Sequence, residues 1–259
     1  MFLGRLRGES GFQKKVVIKK ILPSFSRDDE FTQRLIQEGK LVSKLVHGNI
    51  VQVLELGQEQ GEIFLVMEYV EGSDLRELML SARECGVQIP PNLAIYILIQ
   101  IAQALAYAHE KSINGKGKGV IHRDISPSNI LISREGQVKL TDFGIARAAD
   151  SSSPLSISGI LRGKVPYMSP EQVKGGELGP PGDVFSFGVL AVELLTGIRP
   201  FTGKSDLETL MNIKSRTCPV LTELLDSMDG DIAAVLGKWL QASEGDRYPT
   251  AAPLCEALI

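Results

Sequence analysis

Cysteine is scarce in this chain. Three residues of 259, Cys85, Cys218 and Cys255, lie far apart with no Cys-x-x-Cys pair, and there are only three histidines. That excludes a disulfide scaffold and the usual structural zinc sites, and points to a reducing, cytoplasmic compartment. An excess of positive charge is also missing. Lys and Arg number 28 against 31 Asp and Glu, a net charge of −3, so the basic footprint that nucleic acid demands is absent. The chain opens Met1-Phe2-Leu3-Gly4-Arg5, without the apolar run of a secretory signal. Its most apolar stretch, Leu93 to Ala108, is about a turn too short for a membrane span. It carries Gln100 and Gln103 and ends in His109-Glu110-Lys111, so a buried core helix is expected there and no membrane segment. What remains is a globular composition, 43% hydrophobic and 23% charged, long enough for one large domain or two lobes.

The first part reads as strands with one helix. Lys14 to Ile21 is short and β-branched and ends before Pro23. Ser26 with Asp29 forms a capping-box start for a helix running to about Val46. Ile50–Glu55 and Ile63–Tyr69 read as strands joined across Gly57–Gly61. After Gly72 the pattern turns helical. Leu75–Cys85 is amphipathic, Pro90-Pro91-Asn92 opens a helix over Leu93–His109, and 114–119 reads as a flexible loop. Ile130–Ser133 and Val138–Leu140 are short strands around Glu135-Gly136. Asp183–Thr196 is apolar nearly all round, which predicts a helix buried on every side. The chain is therefore expected to form a small sheet-rich lobe followed by a larger helical one, with the boundary near Val70–Gly72 and no repeat or long linker.

Two sets of residues carry chemistry. Phe31, Leu35, Glu38, Val42 and Leu45 recur at steps of four, three, four and three, one face of a helix with a carboxylate in its middle. A charge on a core face is costly unless paired. The nearest upstream partner is a lysine of the Val16–Ile21 strand, where Lys19 and Lys20 point to opposite faces and pattern alone does not choose between them. The alternative is a partly exposed Glu38 at the edge of the stripe. The second set is Ile121-His122-Arg123-Asp124-Ile125-Ser126-Pro127-Ser128-Asn129, followed after two strands by Thr141-Asp142-Phe143-Gly144. An Asp and an Asn five apart on a loop, with a second Asp beyond a hairpin, can converge as oxygen ligands for magnesium bridging nucleotide phosphates. Asp-Phe-Gly alone is a weak signal; the combination at this spacing is a strong one.

Taken together these segments resemble the eukaryotic-like protein kinase family, most closely bacterial serine/threonine kinases, nearly end to end. The resemblance implies an α+β, bilobal protein-kinase-like fold, with a partial N-lobe over 1–70 and a C-lobe over 71–259. Val16-Val17-Ile18-Lys19 is similar to the family's lysine strand and Glu38 to that lysine's helix partner, which selects Lys19. His47-Gly48-Asn49-Ile50-Val51 resembles the lead into the fourth strand. Met67 falls at the gatekeeper position, Glu68-Tyr69-Val70 at the hinge whose backbone hydrogen-bonds adenine, and Val17 over the adenine site. Ser169-Pro170-Glu171 is similar to Ala-Pro-Glu, Asp183 to the buried helix Asp, and Arg247 to the arginine that pairs with Glu171.

The resemblance further implies ATP and Mg2+ as cofactors and a serine or threonine hydroxyl of a protein as acceptor. Lys19, held by Glu38, would orient phosphates; Asp142 and Asn129 would hold magnesium; Asp124 would take the hydroxyl proton. His122 is expected to be a packed, hydrogen-bonded core residue. Arg123 would be neutralised by a phosphorylated activation segment, with Ser156 and Ser158 the preferred acceptors. The chain departs from the family in three ways. No Gly-x-Gly-x-x-Gly loop precedes Lys19, and Met1–Gly4 resembles the second strand, which suggests a truncated reading frame, an exposed sheet edge and loose nucleotide binding. The lysine usual two residues after the catalytic Asp is Ser126, and the threonine usual after the glycine matched by Gly163 is Lys164; Lys164 is expected to supply the missing positive charge. Val17 replaces the more usual alanine. A catalytically weak kinase-fold scaffold and a small-molecule phosphotransferase are the competing readings.

Overall fold

The strands form where β-branching and alternation place them. In the computed structural model, which describes residues 1–20, 29–59, 62–111, 119–143, 163–216, 218–226, 228 and 230–257, β1 (Phe2–Arg7) turns through a 3-10 segment into β2 (Gln13–Lys20). The turn places Ser10 and Gly11 in the left-handed region, at φ 56° and 81°. β3 (Val53–Glu59) and β4 (Glu62–Glu68) complete an antiparallel sheet of order β1-β2-β4-β3. Its register sets Val17 opposite Met67 and Lys19 opposite Leu65. β1 is an edge strand, and Met1, Phe2, Leu3, Leu6 and Phe12 are exposed around it. The helix α1 (Asp29–Val42) lies against β3. It stops at Val42, four residues short of the expected end. The Ser26 start expected for it and the loop at 114–119, up to residue 118, lie outside the described residues.

The second half is built on helices. Asp74 at the end of β5 (Gly72–Asp74) caps α2 (Leu75–Glu84), accepting from the Glu77 N–H at 2.9 Å. Pro91 opens α3 (Pro91–Glu110), where its missing N–H costs nothing. This helix is long and apolar enough to cross a membrane, yet Ala94, Ile97, Leu98, Ile101, Ala102, Leu105 and Ala108 bury one face of it in the protein core. β6 (Ile130–Ser133) and β7 (Val138–Leu140) sit where expected and join β5 in a second sheet. Next come α4 (Pro170–Lys174), α5 (Pro180–Thr196), α6 (Asp206–Ser215), α7 (Pro219–Asp226), α8 (Gly230–Trp239) and α9 (Ala252–Ala257). Every residue of α5 from Gly182 to Leu194 is buried, as its all-round apolarity predicts, with α3 and α8 packed on it.

Two features join the halves. Ile50, expected in a strand, makes an isolated parallel bridge to Leu140 instead; the Val51 N–H donates to Leu140 O at 2.9 Å and the Leu140 N–H to Asn49 O at 2.7 Å. Ile50 and Val51 are both buried, so the alternation of a surface strand does not apply to them. Lys139 on β7 pairs with Glu68 at the end of β4, 2.8 Å apart.

A buried ion pair locks the helical part. Arg247 reaches Glu171 through both ends of its fork, at 2.8 and 3.1 Å, and its remaining N–H groups are satisfied by Gln241, Pro181 and Ala242 carbonyls. This is the pairing the resemblance implies. Arg247→Ala strands a buried carboxylate, and chemical denaturation is expected to show a loss of about 3–5 kcal/mol; a loss below about 1 kcal/mol would contradict the role given to the pair.

Candidate active site

One buried carboxylate anchors the loop expected to carry the chemistry. Asp183, in the first turn of α5, accepts from the His122 N–H and the Arg123 N–H, both at 2.7 Å, and from His109 Nε2 at 2.9 Å. His109 Nδ1 in turn accepts from the Ala251 N–H, so its two ring nitrogens have fixed, opposite roles. Burial pushes the Asp183 carboxyl up, but these donors outweigh it and hold it below the ordinary Asp range. The anchored loop bends through Arg123 at φ 66°, a left-handed conformation costing of order 1–3 kcal/mol in a non-glycine residue.

His122 is fully buried, its pKa lowered chiefly by burial, with its ring tilted against Phe143 at 4.6 Å. Nε2 donates to Thr141 O at 2.9 Å and Nδ1 accepts from the Asp124 N–H at 3.2 Å. It thus ties the loop to the segment before Asp142 and is the packed core histidine expected. Asn129 completes the tie. Its side chain donates to Asp124 O at 2.6 Å and Asp124 Oδ2 at 2.8 Å, and its carbonyl accepts from the Thr141 N–H at 2.9 Å. Asp124, Asn129 and the Thr141-Asp142 segment therefore meet. Asp142 adopts a second left-handed conformation, φ 60°, and its carboxylate lies 2.7 Å from Lys19 Nζ.

Charge pairing differs from expectation at one point. Glu38 does not hold Lys19. Its carboxylate accepts from Arg123 at 2.7 Å, while Lys19 sits on Asp142. The half-buried Glu38 carboxylate faces the catalytic loop, where the guanidinium, whose backbone Asp183 fixes, meets it; Lys19 finds a carboxylate of its own across the cleft. Lys164 lies 2.5 Å from Asp124 Oδ2, so the fold does bring it beside the Asp124 loop. Ser126 is buried, its hydroxyl without a hydrogen-bond partner among the described residues. Ser156 and Ser158 lie outside the described residues, as does Gly144.

The residues expected at the hinge and over adenine lie on β2, on β4 and just beyond it. Met67 is buried and Val17 lies opposite it; Val70 packs against the core. Glu68 departs from a purely backbone role. Its carboxylate accepts from Lys139 Nζ and the Gln52 N–H, and its own N–H donates to Gln52 O. Sequence reasoning also missed Gln172, whose side chain donates to Arg123 O at 2.7 Å, and the Tyr167 hydroxyl, which donates to Glu193, itself paired with Arg199. Burial and the Glu193 charge push the Tyr167 pKa far up, so it stays a donor. Gln172 could have been found as the last residue of a Ser169-x-x-Gln172 capping box, in which the Ser169 N–H donates to its side chain at 2.9 Å; Tyr167 and Glu193 show no such motif.

The donor set suits a magnesium ion that arrives with phosphate. Among the described residues no group of three His, Cys, Asp or Glu forms a metal cage. One carboxylate, Asp142, and one amide oxygen, that of Asn129, whose backbone carbonyl holds the neighbouring Thr141 N–H, are the donor types that an ion keeping waters and phosphate oxygens requires.

Comparison with known proteins identifies the family. The family model described as the protein kinase domain matches residues 8–257. The chain belongs to the protein kinase family. It is 38% identical over its whole length to the tyrosine-protein kinase MasK of Myxococcus xanthus, covering 40% of that protein. It is 35% identical over 238 residues to the serine/threonine-protein kinases PknL of Mycobacterium tuberculosis and PrkC of Bacillus subtilis, 92% of this chain against 57% and 35% of theirs. The kinase chain thus spans from about a third to somewhat over half the length of these relatives. The crystal structure of the Mycobacterium tuberculosis PknI kinase domain superposes over 99% of this chain and 89% of that one, with a TM-score of 0.72 at 24% identity, a likeness of fold.

Burial raises the Glu38 pKa, and the Arg123 hydrogen bond and charge only partly offset it. The folded state then holds the Glu38 proton more tightly than the unfolded chain does, so this group's contribution to stability is full below the ordinary glutamate value of about 4.3 and declines as pH rises through the raised one. The difference in unfolding free energy between the wild type and Glu38→Gln, measured by urea titration, should fall as pH rises from about 4. A flat difference would contradict it.

Proposed function

We propose that this domain catalyses magnesium-dependent transfer of the terminal phosphoryl group of ATP to serine or threonine hydroxyls of proteins, in a cytoplasmic signalling role, with 1–70 and 71–259 as its two lobes. The observation that carries the reading is the convergence of Asp124, Asn129 and Asp142, tied through His122 and Thr141, with Lys19 on Asp142. In the reaction the bond between the terminal phosphorus and the bridging oxygen breaks, and a bond to the acceptor oxygen forms. The hydroxyl proton passes to Asp124, and ADP leaves. Magnesium, when bound, supplies neutralisation of phosphate charge.

The chain's own residues do the positioning. Lys19 is placed for phosphate oxygens, Asp142 and Asn129 for the ion, Asp124 for the hydroxyl, and Val17, Met67, Glu68 and Val70 border the adenine pocket. Arg123 serves regulation: a phosphoserine at 156 or 158, carrying nearly two charges, would compete with Glu38 for its guanidinium. A second reading follows from the similarity to MasK, which is named a tyrosine-protein kinase.

Purified protein with labelled ATP and magnesium should phosphorylate itself or a generic protein acceptor. Phosphoamino acid analysis should yield phosphoserine or phosphothreonine, and mass spectrometry should map sites to Ser156 or Ser158. Asp124→Asn should lower the transfer rate by about 10²–10⁴-fold. Phosphotyrosine alone would favour the second reading, and nucleotide binding without any transfer would replace the enzyme with a scaffold.

A further inference from the structure

Among the described residues, three ion pairs meet at the cleft: Lys19 on Asp142, Arg123 on Glu38 and Lys164 on Asp124. If Asp124 receives the acceptor's proton, the attacked phosphorus must lie one hydroxyl away from its carboxylate, with reacting atoms about 3–3.5 Å apart. The phosphate oxygens therefore arrive within reach of whatever cation borders Asp124. Arg123 borders the same cleft, but its guanidinium is engaged by Glu38 and its backbone is pinned on Asp183. The loop's own residue two positions on, Ser126, is neutral and buried. Lys164 alone of the three cations touches Asp124 in these contacts.

We propose that Lys164 binds the transferred phosphate, exchanging the Asp124 carboxylate for phosphate oxygens when ATP enters. This rests on the phosphoryl-transfer reading above and assigns that site's phosphate-positioning cation to the segment after Gly163 rather than to the catalytic loop.

Three features of the fold suit the exchange. The root of Lys164 is fixed, because it caps the 3-10 turn Val165–Tyr167, whose three residues are buried. Its tip is not: the side chain is 29% exposed and borders a small cleft that Asp124, Tyr167 and Gln172 also line. Asp124 keeps its orientation when the lysine leaves, since Asn129 holds the same oxygen at 2.8 Å. The partners of the exchange are matched in charge. An ammonium leaves one carboxylate for a phosphate bearing more charge, and the carboxylate it vacates is freed to accept the hydroxyl proton. Loading of ATP and activation of the base thereby become one event.

The test is calorimetric titration of Mg-ATP and Mg-ADP into the wild type, Lys164→Met, Asp124→Asn and the double variant; methionine keeps an apolar stem and removes the charge. Lys164→Met should lower affinity for Mg-ATP relative to Mg-ADP by about tenfold, the worth of one charge-assisted hydrogen bond. The same loss should appear in the Asp124→Asn background. An unchanged ATP-to-ADP ratio in Lys164→Met overturns the inference. So does a loss that vanishes once Asp124 is neutralised, because Lys164 would then only mask a repulsive carboxylate. Failure of the wild type to bind either nucleotide would instead overturn the phosphoryl-transfer reading itself, and with it the inference.

Discussion

The site depends on a carboxylate that takes no part in its chemistry. Asp183 sits fully buried at the start of the most enclosed helix and gathers two backbone N–H groups and an imidazole onto its two oxygens. A buried carboxylate with three donors is stable; the same carboxylate deprived of them would cost several kcal/mol. The helix and the catalytic loop are therefore obliged to meet. That obligation holds Arg123 in a left-handed conformation, aims its side chain at Glu38, and sets His122 where it can join Asp124 to Thr141. Asp142, one residue further, inherits its place from this chain of contacts.

Around that anchor the cleft is arranged as paired charges rather than as free catalytic groups. Each acid has a cation at hydrogen-bond distance, and the pairs are only partly buried, so each is weak enough to be exchanged. A polyanion arriving with a divalent ion offers better partners to both sides: phosphate oxygens for the lysines, and the metal for Asp142. Catalysis by positioning and charge neutralisation needs groups that are already nearby and not permanently committed. Glu38 and Arg123 occupy each other in the same fashion, which links the helix of the small lobe to the loop of the large one through a bond that a phosphoserine could displace.

Much of this was legible in the residues. The short strands Ile130–Ser133 and Val138–Leu140 follow from β-branching and turn residues, and α5 from apolarity on all sides. The convergence of Asp124, Asn129 and Asp142 followed from spacing and motif. The partner of Glu38 did not, because a helical stripe fixes which residue faces inward and says nothing of which of several cations is nearest once the lobes are placed. Strand alternation left Lys19 or Lys20 open and the resemblance selected Lys19; the fold supplied Arg123 from 85 residues away. Ile50 misled for a related reason, since a buried apolar residue satisfies a strand or a lobe-joining bridge equally well. Ser169 and Gln172 form a capping box that the spacing could have announced, but the bond from the Gln172 side chain to Arg123 O and that from Tyr167 to Glu193 join distant segments and leave no local pattern to read.

The central claim is that Asp142 and Asn129 hold a magnesium-bound nucleotide while Asp124 faces the acceptor. A crystal structure of the protein with magnesium and a non-hydrolysable ATP analogue tests it most directly. The account predicts the ion on the Asp142 carboxylate and the Asn129 amide oxygen, with Lys19 moved from Asp142 onto phosphate. A nucleotide bound elsewhere, or bound with Lys19 still paired to Asp142 and no ion between protein and phosphates, would contradict it.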